Sequence, residues 1–214
     1  LSLGELPSGG ELDGFVNGLA GDLFDRCMEV DDPAAALFML NRFRILTAMR
    51  QGQFGAIHFN ALVEAQLRRK RTPMNSAFYR GRPILITEND YSSRLFNGDL
   101  GVVWPDDKTG HLMAFFSTPE GDTRSVHIGR LPVHETAFAM TVHKSQGSEF
   151  EETLLLLPRN TSLVLCRELV YTAITRARKR LRIVGPEPLL REAIARRLRR
   201  HTGLVDALDE VSGG

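Results

Sequence analysis

Residues 169–185 read LVYTAITRARKRLRIVG, and how that run divides decides the fold. Leu169, Val170, Ala173, Ile174 and Ala177 recur at helical spacing and make an apolar stripe. Glu168, Thr172, Arg176 and Lys179 make a second stripe on another face. With its flanks the run predicts a helix over CRELVYTAITRAR (166–178) and a strand over RLRIVG (180–185). Ala173 and Ala177 are small enough to let the helix pack closely. Arg176, Arg178, Lys179, Arg180 and Arg182 crowd into seven residues. A solvated face, a nucleic-acid contact and a phosphate contact are all open for that charge. A guanidinium on a well-packed helix suits a planar anion such as phosphate; for Arg176 a pair with Glu168 or Glu149 is the alternative.

Outward from this run, helix and strand alternate. TLLLLP (153–158) is a continuous apolar run, as in a parallel strand buried on both faces. TAFAMTVHKSQGSEF (136–150) predicts a helix with a loop, and EPLLREAIARRLRR (187–200) a surface helix. Toward the N-terminus, Leu12, Phe15, Val16, Leu19, Leu23 and Phe24 predict a helix over 11–28. DDPAAALFMLNRF predicts another, with Asp32 as N-cap and Pro33 in its first position. RILTAMR (44–50) is a short apolar strand ending at Arg50; QGQFGA is a glycine loop; HFNALVEAQLRRKR (58–71) is a helix that TPMNS (72–76) breaks.

From Gly81 the texture changes. RPILITEND, GDLGVVWPDD, HLMAFFST and TRSVHIG are short strands divided by Asn97-Gly98, Pro105-Asp106-Asp107 and PEGD turns. That spacing suggests a small antiparallel barrel spliced into the α/β frame. Its aromatics, Tyr91, Phe96, Trp104, Phe115 and Phe116, are either barrel core or, where exposed, stacking surfaces for bases. Arg68, Arg69, Lys70 and Arg71 ahead of it either follow a phosphate backbone or end a solvated helix.

The 214 residues are 43% hydrophobic and 25% charged, enough for a sizeable core. No apolar run approaches the roughly 18 residues of a membrane span. The first residues lack Met and a secretory pattern, which suggests a cut inside a longer chain. Cys27 and Cys166 form no Cys-x-x-Cys pair, and six scattered histidines show no metal-ligand spacing, so no metal site is expected. Two buried free thiols suit a reducing, cytoplasmic setting. Net charge is +1, but residues 1–35 hold eight acids against one base, and residues 164–200 hold eleven bases against three acids. Either the basic end meets a polyanion or the acidic segment neutralises it.

Two further stretches carry chemistry. In TVHKSQGSEF (141–150), Thr141, His143, Lys144, Ser145 and Gln146 gather beside Gly147. So many polar groups between Met140 and Phe150 need partners, and Glu149 offers an acceptor for two hydroxyls, as on a ribose; a polar helix end with Gly147 as its cap is the alternative. In LTAMRQGQFG, Arg50 ends an apolar strand, where open α/β sheets place ligands.

Together, MTVHKSQGSEF, ELVYTAITRARKRL and LTAMRQGQFG resemble motifs V, VI and IV of superfamily 1 helicases. FNGDLGVV and RLPVHETAFAMTVHKSQGSEF resemble the C-terminal region of the RecD family, the alpha subunit of exonuclease V. The resemblance runs from about Leu12 to about Leu208. It implies a RecA-like second helicase lobe with an inserted SH3-like β-barrel: lobe at 1–80, barrel at 81–132, lobe again at 133–214. It implies that Arg50 and Arg176 act as arginine fingers on the γ-phosphate of ATP, that Gly147 and Glu149 meet the ribose, and that Thr141, His143 and Lys144 touch single-stranded DNA. ATP with Mg²⁺ is implied for the parent protein, which would move 5′ to 3′ in double-strand break repair and recombination. The implied partners are single-stranded DNA, the first lobe of the same parent chain, and the beta and gamma subunits of exonuclease V. No G-x-x-x-x-G-K-[ST] loop occurs in these residues, so the chain alone is expected to hold no nucleotide tightly and to be inactive. A protein-docking module or a plain nucleic-acid-binding module is the alternative.

Overall fold

A computed structural model describes residues 2–4, 14–15, 18, 24–70 and 76–197. Most of the helix expected over 11–28, together with Arg71, most of TPMNS and the end of the last helix, lies outside them. Within that stretch, residues 14–15, 18 and 24–28 are helical.

In chain order the elements are β1 (Ser2–Gly4), α1 (Pro33–Arg42), β2 (Phe43–Thr47), α2 (Ala56–Lys70), β3 (Pro83–Ile86), β4 (Leu100–Pro105) and β5 (Leu112–Ser117). They continue with β6 (Thr123–His127), β7 (His134–Thr136), β8 (Ala139–Thr141), β9 (Phe150–Leu156), α3 (Arg167–Thr175), β10 (Ala177–Val184) and α4 (Glu187–Ala195). Five strands form one sheet in the order β1-β10-β9-β2-β8, and every pairing in it is parallel. The apolar run at 153–158 explains the middle of that sheet: Leu154, Leu155, Leu156 and Leu157 are buried, with helices covering both faces. Asp32 caps α1 as its sequence implies, its carboxylate accepting from the Ala34 and Ala35 N–H groups at 3.2 Å.

Two boundaries differ from expectation. The stretch 136–150 is not a helix. Ala139–Thr141 add a strand beside β2, the Val142 N–H donates to Thr47 O, and only a 3-10 turn, His143–Ser145, follows. The helix before the basic run also ends early, at Thr175. The Phe150 N–H donates to Arg176 O and Ala177 pairs with Phe150, so the sheet captures the chain before another helical turn forms. Ala177 and Lys179 therefore belong to β10, not to the helical stripes.

The inserted strands make a second, antiparallel sheet in the order β6-β5-β4-β3-β7. Among the described residues β6 and β7 are its two edges, so hydrogen bonding leaves it an open sheet rather than a closed barrel. Its last strand, β7, lies past residue 132, where sequence placed the end of the insertion. The aromatics divide. Trp104 and Phe116 are buried, and Trp104 joins Phe24 and Leu37 in the core under α1, so the insertion shares packing with the lobe. Tyr91 and Phe96 are 78% and 45% exposed and meet edge to face, with ring centroids 5.9 Å apart.

Arg44 on β2 is 1% exposed. Its guanidinium donates to the Ala137 and Leu40 carbonyls and lies over the Phe150 ring, 5.1 Å from the centroid. Burial draws its pKa down to about 10, which leaves it charged at neutral pH. Burial also pushes the nearby Cys27 thiol up to about 11, from 9.0. The folded protein therefore keeps a proton that the unfolded chain loses between those values. The resulting stabilisation, about 2–3 kcal/mol, is full below pH 9 and lost as pH rises toward 11. Urea unfolding at pH 8 and pH 10.5 should show that loss in the native chain and a smaller one in Cys27→Ala.

Candidate functional site: two ends of one parallel sheet

The carboxyl ends of β2 and β8 stand level, with Thr47 beside Thr141. Beyond β2 the chain turns at once. Thr47 Oγ1 donates to Met49 O at 2.8 Å, and Met49 bridges to Gly55. A Cβ on Gly55 would lie 2.4 Å from Gln51 O, so only glycine permits this turn. Arg50 leaves it with Nη2 3.6 Å from Glu135 Oε2. On the same carboxylate, Lys144 Nζ donates to Glu135 Oε1 at 2.6 Å. The Lys144 N–H donates to Thr141 Oγ1 at 3.3 Å, His143 is exposed, and the buried Ser145 hydroxyl donates to Val142 O at 2.7 Å. Asn60 on α2 fixes β8 in place. Its amide donates to Thr136 O at 2.8 Å and Ala139 O at 3.0 Å, and accepts from the Ala139 N–H at 2.8 Å.

The amino ends of β9 and β10 carry the other candidates. Arg176 caps α3 and donates to Ser148 O at 2.9 Å, Thr172 O at 3.3 Å and Thr175 Oγ1 at 3.1 Å. Glu149 is taken instead by Arg178, at 2.7 Å. Lys179 pairs with Glu151 at 3.1 Å and Arg180 with Glu152 at 3.2 Å. Arg178, Lys179 and Arg180 thus form a cross-strand ladder with Glu149 and with Glu151 and Glu152 of β9. Hydrogen bonds from Lys179 and then Arg42 hold the Glu151 carboxyl below its ordinary range. A cleft of about 550 Å³ opens here between α1, the start of β9 and the inserted sheet, lined by Asn41, Arg42, Asp99, Gly147, Glu149 and Arg178 among others. At Gly147 φ is +85°, a left-handed turn that glycine adopts without strain.

Residues 136–184 match the UvrD-like helicase C-terminal domain family. Over 180 residues the chain is 46% identical to the RecBCD enzyme subunit RecD of Mycobacterium tuberculosis (strain CDC 1551 / Oshkosh), covering 84% of this chain and 31% of that protein. The chain belongs to the RecD helicase family. It is also 32% identical to the ATP-dependent RecD2 DNA helicase of Deinococcus radiodurans over 169 residues, 77% of this chain and 23% of that one. The Pif1 helicase of Candida albicans superposes with a TM-score of 0.49 at 15% identity, over 92% of this chain and 58% of that one. The chain thus spans about a third or less of the length of the curated relatives it matches.

In this RecD-family chain the candidate residues divide between the two ends of the sheet. Arg50, Thr141, His143 and Lys144 follow strands that finish level with Leu156 and Val184; Gly147, Glu149 and Arg176 precede the strands that begin at Phe150 and Ala177. At about 3.3 Å per residue, roughly 20 Å of strand separates the two ends. Arg50 and Arg176 thus leave opposite ends of the sheet in this chain, where the sequence expectation placed both on one phosphate. Sequence reasoning missed Glu135 and Asn60. Their partners lie 9 to 85 residues away along the chain, and only the buried position of an amide within α2 hinted at Asn60. Among the described residues no helix is long and apolar enough to cross a membrane.

Proposed function

We propose that this chain is the second motor lobe of an ATP-dependent 5′–3′ DNA helicase subunit of the exonuclease V type, acting in double-strand break repair and recombination. The observation that carries this reading is the division of one sheet into two chemical ends, joined by the single segment 142–149. Lys144 stands near one end of that segment and Glu149 near the other. A shift of the segment therefore moves a phosphate-facing cation and a nucleotide-facing carboxylate together.

ATP with Mg²⁺ would supply the energy through phosphoryl transfer to water. The residues present fit part of that group: the cleft has the volume of a small-molecule site, with two arginines, Arg42 and Arg178, and three carboxylates, Asp99, Glu149 and Glu151, in its lining. The phosphate cradle would come from the first lobe of the same parent chain, so this chain alone would not hydrolyse ATP. Arg176 now rests on neutral oxygens; when the lobes close, it would exchange them for a phosphate, a stronger acceptor in a water-poor cleft. Glu149 would offer its carboxylate to the ribose hydroxyls while Arg178 steadies it, and Gly147 would let the backbone approach. Thr141, His143 and Lys144, now with Arg50, would follow the single-stranded DNA backbone. The inserted sheet would stand for the family's SH3-like barrel, within lobe segments near 1–80 and 133–214. The beta and gamma subunits would be the protein partners, in the cytoplasm.

A second reading, a protein-docking module, draws on the exposed Leu163 (89%) and Tyr171 (67%) around α3. Unwinding by the full-length parent separates the two. The motor reading expects ATP-dependent unwinding of duplexes with a 5′ single-stranded tail and little with a 3′ tail. Absence of ATP-dependent unwinding from either tail would leave docking as the better account.

A further inference from the structure

Arg50 and Lys144 follow separate strands, β2 and β8, yet both aim at one anion. That anion is the carboxylate of Glu135, on β7 of the inserted sheet, 2.6 Å from Lys144 Nζ and 3.6 Å from Arg50 Nη2. The Glu135 side chain is 24% exposed, and those of Lys144 and Arg50 are 29% and 58% exposed, so water and ligands reach the cluster. Two convergent cations around a planar anion make a phosphate site already filled by a carboxylate. Glu135 pairs with Leu85 of β3 through the backbone, so its main chain is held by the inserted sheet.

We propose that Glu135 is an internal stand-in for a backbone phosphate. It occupies the Arg50–Lys144 site while DNA is absent and is displaced by a phosphodiester of single-stranded DNA. This rests on the reading of the carboxyl end as the DNA track. The competitor weakens binding, keeps the two cations positioned, and links the inserted sheet to the state of the track. It also alters the salt response. With Glu135 in place, its charge offsets one of the two cations, so less phosphate charge is neutralised and fewer counterions condensed on the strand are released. Without it, both cations neutralise phosphate charge and more of those counterions leave.

The test is the affinity of the full-length parent for a dT20 oligonucleotide across a salt series, for the native protein, Glu135→Gln, Glu135→Asp and Lys144→Met, with melting temperatures alongside. Glu135→Gln is expected to bind roughly two- to five-fold tighter at low salt, the size of one partly exposed ion pair. Its slope of log affinity against log salt should steepen by about 0.7, one single-strand phosphate. Glu135→Asp, whose shorter arm cannot serve both cations, should fall between Glu135→Gln and the native protein. Weakening in Lys144→Met without tightening in either Glu135 variant would overturn the stand-in and keep the track. Unchanged affinity and slope in Lys144→Met would overturn the track reading and the stand-in with it.

Discussion

Arg176→Ala in the full-length parent is expected to lower DNA-stimulated ATP turnover by roughly 10³-fold or more, with single-strand affinity kept. The expectation follows from position. Arg176 sits where α3 stops and β10 starts, beside a cleft that Gly147, Glu149 and Arg178 line. Its three hydrogen bonds run to neutral oxygens of Ser148, Thr172 and Thr175, which a phosphate can replace at little cost. Arg178, one pleat on, is already engaged by Glu149 and is expected to matter less. Arg176→Lys keeps charge but not the planar fork, so it should recover only a small part of the loss. If the losses reflect folding instead, melting temperature will fall with turnover; the catalytic reading expects a change of a few degrees at most.

Asn60→Ala is expected to destabilise the protein by about 3 kcal/mol or more. Asn60 is 9% exposed and satisfies two carbonyls and one N–H on the stretch from β7 to β8. Truncation strands those groups, each at a cost of about 1–3 kcal/mol where water does not enter. For a chain of this size that is about 6–12 °C in melting temperature. Asn60→Asp discriminates the cause. It keeps the acceptor for Ala139 but turns a carboxylate toward two carbonyl oxygens, so it should be at least as damaging as Ala. A mere loss of side-chain volume would make Asp harmless. Because β8 ends in Thr141, both variants should also weaken single-strand binding more than their stability loss alone explains.

The parts of the fold legible in the sequence are those whose cause is local. Asp32-Pro33 starts α1 through its own side chain and ring. TLLLLP must be buried on both faces wherever it lies, and Asn97-Gly98 with its neighbours punctuates the inserted strands. The parts that were not legible depend on distant partners. Ala139–Thr141 form a strand because Asn60 and β2 hold them there; on its own, the run with Val142 and His143 looks helical. Arg176 ends its helix because Phe150 offers an N–H across the sheet. Open hydrogen bonding in the inserted sheet is a matter of which edges meet, and turn spacing carries no trace of it. The candidate site was legible as residue types but not as an arrangement. Motif order along the chain does not show that Arg50 and Arg176 leave opposite ends of parallel strands, nor that Glu135 holds two of the cations.

The most direct measurement takes Arg176→Ala and Lys144→Met side by side in the full-length parent, with ATP turnover at saturating single-stranded DNA and DNA affinity read for each. Two separate ends of the sheet should give crossed effects: Arg176→Ala loses turnover and keeps affinity, while Lys144→Met loses affinity and keeps most turnover once DNA saturates. Equal loss of both quantities in both variants, or turnover that survives Arg176→Ala, would contradict the division of labour along the sheet.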